Sequence, residues 1–331
     1  MKYFSIFLAL LPSFIHVNIR RILGSKIGKG SRIKIGTIII ADKLTLGENV
    51  KIGPFSYIKA EEILVGDNSI IKSLSIISTR IIKFGKYVHI APLAIIMSEF
   101  TENSKISIGD HSRIFPYCWL DTGEGITIGK QSGVGTHSFI YTHGVWSDYL
   151  NGAPINYGPV VISDNVWIPT RVSILPNVEI GKNTIIGANS IVNKSISENV
   201  FVAGTPAKVI KDYALISLSN EEKINRSRLI LKRFSEYINF KFKIQSTVNG
   251  NILSFKNLKI SIDDMNGLQK GDMLFLVNYN MSESELMMIL DKGVSVLNHN
   301  IMHIKIVSKN EIYNELIPFV RRFGIRLYID K

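Results

Sequence analysis

The stretch Tyr141-Thr142-His143-Gly144-Val145-Trp146-Ser147-Asp148-Tyr149 gathers the side chains best suited to chemistry in this 331-residue chain. An imidazole with an ordinary pKa of about 6.5 can take a proton at neutral pH, which makes His143 a candidate general base. Asp121 is a candidate to orient that ring and hold its tautomer. Asp121-Thr122-Gly123 is also good turn chemistry, so a capping role for Asp121 is equally open. His111, His137 and His143 do not have the spacing of a zinc site, and His137 reads as an exposed surface residue. Cys118 is the single cysteine. One cysteine excludes a disulfide scaffold and a cysteine-cluster metal site, and it suits a reducing compartment. No metal is expected.

The elements that must hold these groups announce themselves by a period of six between about residues 27 and 196. Ile162, Ile168, Ile174, Ile180, Ile186 and Val192 keep it without a slip. Shorter runs precede it: Leu46, Ile52, Ile58; Val65, Ile71, Ile77; Phe84, Ile90, Ile96; Ile108, Ile114, Leu120; Ile128, Val134, Ile140. Glycine often follows the aliphatic residue, as at Gly47, Gly66 and Gly85. Four positions on sits a small or β-branched residue, as at Ser69, Ser112 and Ser138. Six is a multiple of two and not of 3.6, so the pattern is one of short strands. Three six-residue sides close a triangular coil of about 18 residues, and roughly seven or eight such coils are expected. Each coil buries its aliphatic residues only by stacking on the next. A β-sandwich would not hold one period through six successive repeats.

This framework explains why the His143 segment stands out. From Ile140 to Ile162 is one coil plus four residues, and long loops leaving a rigid solenoid carry function. Register also selects Asp121. Leu120 and Ile140 both start a side, so residues 121–123 lie on the rung beside residues 141–143. Cys118 falls at a small inward position and is expected in the core. Trp167 precedes a core Ile and is expected to pack on the outer face.

Residues 162–211, with Asn165-Val166-Trp167-Ile168-Pro169 and Ala203-Gly204-Thr205-Pro206-Ala207-Lys208, resemble the closing coils and cap of the left-handed β-helix hexapeptide-repeat acyltransferases. The resemblance covers roughly residues 20–211 and is sharpest from 105 to 211. It implies the left-handed parallel β-helix, although the general rule for crossovers is right-handed. In the sugar O-acetyltransferase branch it implies acetyl-CoA as cosubstrate, a carbohydrate acceptor, a homotrimer and no nucleic acid partner. Phe139-Ile140-Tyr141-Thr142-His143 resembles the family's catalytic-histidine segment, with His143 at the catalytic place. Gly187 and Ala188 match positions whose backbone meets the pantetheine arm of coenzyme A. Thr205, Pro206 and Lys208 match the adenosine-phosphate end, where Lys208 could pair with the 3′-phosphate. Two features depart from the pattern. Arg171 puts charge on an outward position near the coenzyme A groove, as a phosphate or acceptor contact or as a solvated residue. Where galactoside-type members place an acceptor-positioning Asn, this chain has Phe115-Pro116-Tyr117-Cys118.

The ends of the chain read differently. Lys and Arg exceed Asp and Glu by 39 − 27 = 12, which leaves nucleic acid, anionic lipid or a phosphate-bearing small molecule open as partners. No acidic residue precedes Asp42, whereas Arg20, Arg21, Lys26, Lys29, Arg32 and Lys34 do. Residues 7–22 read as an amphipathic helix, packed on the neighbouring domain or lying at a membrane face. The apolar run is too short and broken to span a bilayer, and most of its charge follows it, unlike a signal peptide. The expected location is cytoplasmic, at most peripheral at the inner membrane face. After Lys211 the period ends. Ser219-Asn220-Glu221-Glu222 starts a helix, with Ile224, Leu229, Leu231, Phe234 and Ile238 as its apolar face. Strands follow near 252–255, 258–262, 274–277, 294–297, 303–307 and 325–329, with helices at 284–290 and 312–323, the alternation of a small α/β domain. Arg321, Arg322 and Arg326 form a small basic cluster there. The expected division is 1–24 (N-terminal amphipathic helix), 25–211 (β-helix acyltransferase domain) and 212–331 (α/β accessory domain).

The expected function is acetyl-CoA-dependent O-acetylation of a carbohydrate hydroxyl in surface polysaccharide synthesis, on a lipid- or nucleotide-linked intermediate. The alternatives are N-acylation of an amino sugar nucleotide, and a non-catalytic β-helix scaffold with a C-terminal binding module.

Overall fold

The computed structural model describes residues 2–144, 148–212, 218–299, 303–307, 310–325 and 328–329. Val145, Trp146, Ser147 and Arg326 lie outside them. The chain forms two compact units, residues 1–216 and 217–331.

In the first unit every third side of the hexapeptide repeat stacks in parallel on the same side of the coil below. Three sheets result. Among the described residues the first and third faces have eight strands each, and the second has ten because a terminal hairpin joins it. That makes eight coils of a parallel β-helix. The aliphatic residues of the period form one inward ladder per face. Ile33, Ile52, Ile71, Ile90, Ile114, Val134, Ile168 and Ile186 line the second, and Ile39, Ile58, Ile77, Ile96, Leu120, Ile140, Ile174 and Val192 the third, all at most 2% exposed. Branched side chains fill a narrow prism in one preferred rotamer, which is why the repeat favours Ile and Val.

The corners are held by hydroxyls. Ser69 Oγ donates to Gly85 O at 2.9 Å and accepts from Val88 N at 2.9 Å, tying two coils together. Ser112 repeats this with Gly129 O and Ser132 N. Glycine serves close approach. A Cβ on Gly66 would sit 2.6 Å from the carbonyl carbon of Gly85 in the next coil. Beyond the first coil, the left-handed conformation of the first and second corners falls on a residue with a side chain, such as Asn49, Asn68, Tyr87, His111, His137 and Arg171. Asn carries this conformation at low cost.

The coils are not equally long. Along the first-face ladder Leu46, Val65, Phe84, Ile108, Ile128, Ile162, Ile180 the steps are 19, 19, 24, 20, 34 and 18 residues. The two long steps insert at the same corner, between the third face and the first, as residues 98–104 and 141–159.

The N-terminal segment is two helices, α1 (Lys2–Ala9) and α2 (Ser13–Ile22), where one helix over 7–22 was expected. Pro12 has no N–H to continue α1 and serves as the residue before α2. Together they cap the open end of the first coil. Val17 joins its core, Gly36 N donates to Ala9 O, and Arg20 Nη2 donates to Ile39 O at 2.7 Å.

Among the described residues the second unit has a seven-stranded sheet in chain order: Ser246–Asn249, Ile252–Phe255, Leu258–Ile262, Met273–Leu276, Ser295–Asn298, His303–Lys305 and Tyr328–Ile329. The first three form an antiparallel meander, and Leu258–Ile262, Met273–Leu276 and Ser295–Asn298 are parallel. Helices α3 (Asn220–Phe242) and α5 (Glu311–Val320) share one core cluster with the sheet, and α4 (Glu283–Asp291) joins a separate cluster. The central strand therefore divides its side chains: Met273 and Phe275 face the first cluster, Leu274 and Leu276 the second. Ser219 caps α3 in a reciprocal capping box with Glu222. The buried face of α3 is Ser227, Ile230, Leu231, Phe234 and Ile238, so Ile230 and not Leu229 points inward. The strand Ser246–Asn249 has no clear periodic signature and was not expected.

Candidate active site

His143 lies on the longer insertion at the third corner. It opens a two-residue antiparallel ladder in which His143 pairs with Tyr157 and Gly144 with Asn156. The two rings stack, with centroids 6.0 Å apart and 14° between planes. The imidazole is about half exposed.

One coil below, Trp119–Asp121 pairs in register with Phe139–Ile140 through Trp119 with Phe139 and Leu120 with Ile140. That register carries Asp121 to the start of the insertion. Its carboxylate is 5% exposed and collects four donors. Oδ1 accepts from Gly123 N at 3.1 Å. Oδ2 accepts from Thr142 N and Thr142 Oγ1, each at 3.0 Å, and lies 2.7 Å from His143 Nδ1. Thr142 Oγ1 in turn accepts from Glu124 N at 3.0 Å. The two readings of Asp121 therefore coexist: one carboxylate caps the turn and contacts the imidazole. A buried carboxylate needs such donors, and fixed backbone donors hold it in one orientation. With Nδ1–H directed at Asp121, the lone pair of His143 resides on Nε2, the chemistry of a base.

Thr142 and Tyr157 were not singled out in the sequence. Tyr157 lies 14 residues beyond His143 with no periodic position. Thr142 sits next to His143, and only the register that selected Asp121 could have pointed to it. The shorter insertion reaches the same corner: Thr101 Oγ1 donates to Gly123 O at 2.7 Å.

The residues matched to coenzyme A lie elsewhere. Gly187 and Ala188 occupy a corner between the second and third faces, two coils on from His143. Thr205 and Pro206 form the turn of the hairpin Val200–Gly204 and Ala207–Asp212, which extends the second face. The two groups meet, since Thr205 Oγ1 donates to Asn189 O at 3.4 Å. Ala188, Thr205, Pro206 and Lys208 are exposed. The space a Cβ on Gly187 would fill is held by Ala203 Cβ, at 2.5 Å, so the missing side chain serves packing inside the chain. Arg171 is exposed at the same second corner with a left-handed backbone. Within one chain, then, the imidazole–carboxylate pair and the coenzyme A-matching surface stand on different corners.

The remaining histidines separate too. His111 turns the first corner, His137 the second and His143 the third. His137 is exposed and stacks on Tyr117, with centroids 5.0 Å apart. Among the described residues no group of three His, Cys, Asp or Glu side chains could hold a metal ion. Cys118 is buried, and burial pushes its thiol up to about 11. It is a core residue with no nucleophilic character. The Trp167 ring lies over Gly133 on the outer face and meets Phe115 edge-on at 5.6 Å.

A parallel β-helix of hexapeptides, with an imidazole on its longer insertion paired to a carboxylate from the coil below, defines a class: hexapeptide-repeat proteins equipped for acid–base chemistry. The family model described as bacterial transferase hexapeptide (six repeats) matches residues 159–194. The chain is 36% identical over 132 residues to the colanic acid biosynthesis acetyltransferase named WcaF of Escherichia coli, covering 39% of this chain and 69% of that one. It is 34% identical over 119 residues to the lipopolysaccharide biosynthesis O-acetyl transferase named WbbJ of Escherichia coli, covering 33% of this chain and 61% of that one, under two thirds of its length. A solved hexapeptide-repeat acetyltransferase of Vibrio cholerae in complex with acetyl coenzyme A is similar at 28% identity and a TM-score of 0.33, over 45% of this chain and 70% of that one. The chain belongs to the family of hexapeptide-repeat acetyltransferases.

Proposed function

We propose that the chain is an acetyl-CoA-dependent O-acetyltransferase that modifies a carbohydrate hydroxyl in surface polysaccharide synthesis. The observation that carries the chemistry is the 2.7 Å contact between His143 Nδ1 and the buried carboxylate of Asp121. A sugar hydroxyl is a poor nucleophile at neutral pH. His143 Nε2 takes its proton as the oxygen attacks the thioester carbonyl carbon. Asp121 fixes the ring and balances the imidazolium that forms. Collapse of the tetrahedral intermediate breaks the carbon–sulfur bond, and the proton on Nε2 passes to the departing thiolate. The relatives named for colanic acid and lipopolysaccharide biosynthesis support a glycan acceptor.

The coenzyme A-binding role of Gly187, Ala188, Thr205, Pro206 and Lys208 belongs to this reading. Because they stand on a different corner from His143, the complete site forms between copies, the second corner of one chain facing the third corner of the next. A three-sided prism that repeats this contact closes as a homotrimer. A complementation test is decisive. Neither His143→Ala nor Pro206→Gly combined with Lys208→Ala should be active alone, and reassembled mixtures should regain activity. No regain in mixed oligomers of trimeric mass overturns the shared site.

The reading also includes a cytoplasmic location with the N-terminal cap touching the inner membrane face. Phe4 and Phe7 on α1, Leu10 between the helices and Phe14 on α2 are exposed, and Phe4 lines one cleft with Arg20, Lys26 and Lys43. Among the described residues no helix is long and apolar enough to cross a membrane. Exposed aromatics beside lysines and arginines suit an anionic lipid surface. Flotation with phosphatidylglycerol vesicles should be lost in Phe7→Ser/Phe14→Ser; equal flotation of both proteins overturns the membrane contact.

A further inference from the structure

The second unit contains a cavity of about 430 Å³ that the acetyl-transfer site does not use. It opens beside the carboxyl ends of the parallel strands, where Val277 follows Met273–Leu276 and His299 follows Ser295–Asn298. In open α/β sheets that end is where ligands bind, because strand ends and helix starts converge there. The volume lies in the range of small-molecule sites.

The lining has two parts. Phe275, Val277 and Phe323 give it apolar and aromatic walls. Lys223 and Arg226, from the first turns of α3, give it two cations one helical turn apart. No acidic residue lines the cavity among the described residues. The nearest acid in sequence, Glu222, acts on Arg226 by charge, but its carboxylate is taken by Ser219 N and Ser219 Oγ, each at 2.8 Å. The start of α3 adds its own partial positive charge. Burial, and then the charge of Lys223, lower the pKa of His299. Asn278, next to Val277, donates Nδ2 to Asn220 O at 3.0 Å and so ties the strand end to the start of α3. An apolar, aromatic cleft with paired cations fits an anion joined to a planar body.

We propose that this unit is a binding module for a nucleoside diphosphate, as the free nucleotide or the nucleotide part of an activated sugar. Lys223 and Arg226 hold the phosphates, and Phe275 and Phe323 flank the base.

Titration calorimetry on the full chain tests this with UDP and ADP, and with inorganic phosphate and farnesyl phosphate as the separating arms. At least one nucleotide should bind, with inorganic phosphate much weaker. Lys223→Ala/Arg226→Ala should weaken that binding about tenfold to a hundredfold, the scale of losing two charge-assisted contacts. Alanine is a good helix former, so α3 should persist. Phe323→Ala should weaken nucleotide binding and leave any phosphate binding unchanged. The KM for acetyl-CoA in acetyl transfer should be the same in all variants, which separates this site from the donor groove. Three results overturn the proposal: no heat with either nucleotide, equal affinity in the double variant, or farnesyl phosphate binding more tightly than both nucleotides.

Discussion

The second and third corners of the prism are made from the same hexapeptide and bear different loads. At the second corner Tyr117, His137, Arg171 and Asn189 recur in one left-handed conformation, coil after coil, with Ser138 Oγ donating to Pro169 O beneath them. At the third corner the coil length jumps twice, and the jumps bring Thr101, Asp121, Thr142 and His143 together through backbone and side-chain bonds. A strict repeat supplies one environment many times; chemistry needs an environment that occurs once. The insertion breaks the period without disturbing the ladder on either side, since Phe139–Ile140 still pairs with Ser173–Ile174. The sharpest test substitutes a histidine at each corner. His143→Ala should lower kcat by roughly 10²–10⁴. His137→Ala should lower kcat far less, because its ring stacks on Tyr117 and meets Thr136 Oγ1 rather than a buried carboxylate. Comparable losses from both would erase the distinction between the corners.

The next largest effect separates the rigid ladder from the insertion it carries. Ile174 is fully buried directly above Ile140. Ile174→Ala should cost about 2–5 kcal/mol, because a narrow prism cannot collapse around the void. Leu150, 92% exposed on the insertion, should tolerate alanine within about 0.5 kcal/mol. Hydrogen exchange along the third face measures both, and an equal loss of protection would mean that the insertion is packed as part of the core. Asp121→Asn comes third. The amide keeps the shape of the cap but can present N–H to the imidazole, so it should lower kcat about tenfold or more and leave KM nearly unchanged. A rise in KM with kcat intact would reduce Asp121 to the turn-capping role alone.

Most of the β-helix could be read from the chain because one physical requirement repeats. Each coil needs an aliphatic residue inside, a small residue where the next coil approaches, and a hydroxyl to bridge carbonyls. Cys118 inside and Trp167 outside followed from the same register, as did the pairing that places Asp121 near His143. Other features needed three dimensions. The glycines at 47 and 66 suggest corners, yet the left-handed residues are Asn49 and Asn68, because steric approach and backbone turn fall on different residues. Tyr157 stacks on His143 through a hairpin that no periodicity encodes. The coenzyme A-matching residues were chosen by resemblance, and nothing local in the sequence says that they turn a different corner. In α3 the expected apolar face was a residue off at Leu229, because the helix turns its other apolar flank, Leu229, toward the cavity of the second unit.

The smallest expected effect is at the capped end of the prism. His16 is fully buried in α2, and its Nε2 accepts from Arg20 Nε at 2.8 Å. Burial first, and the Arg20 charge second, lower its pKa to about 4. An unfolded imidazole titrates near 6.5. Between those values the unfolded chain binds a proton that the folded cap refuses, so stability falls as the pH drops from about 6.5 toward 4. Above about 6.5 both states are neutral and the contribution is constant. The difference in unfolding temperature between the natural chain and His16→Gln should therefore be flat from pH 8 to 7 and should shift against the natural chain on acidification to about pH 5. A difference that stays constant across that range would mean that Arg20 and the first coil do not hold His16 in its neutral form.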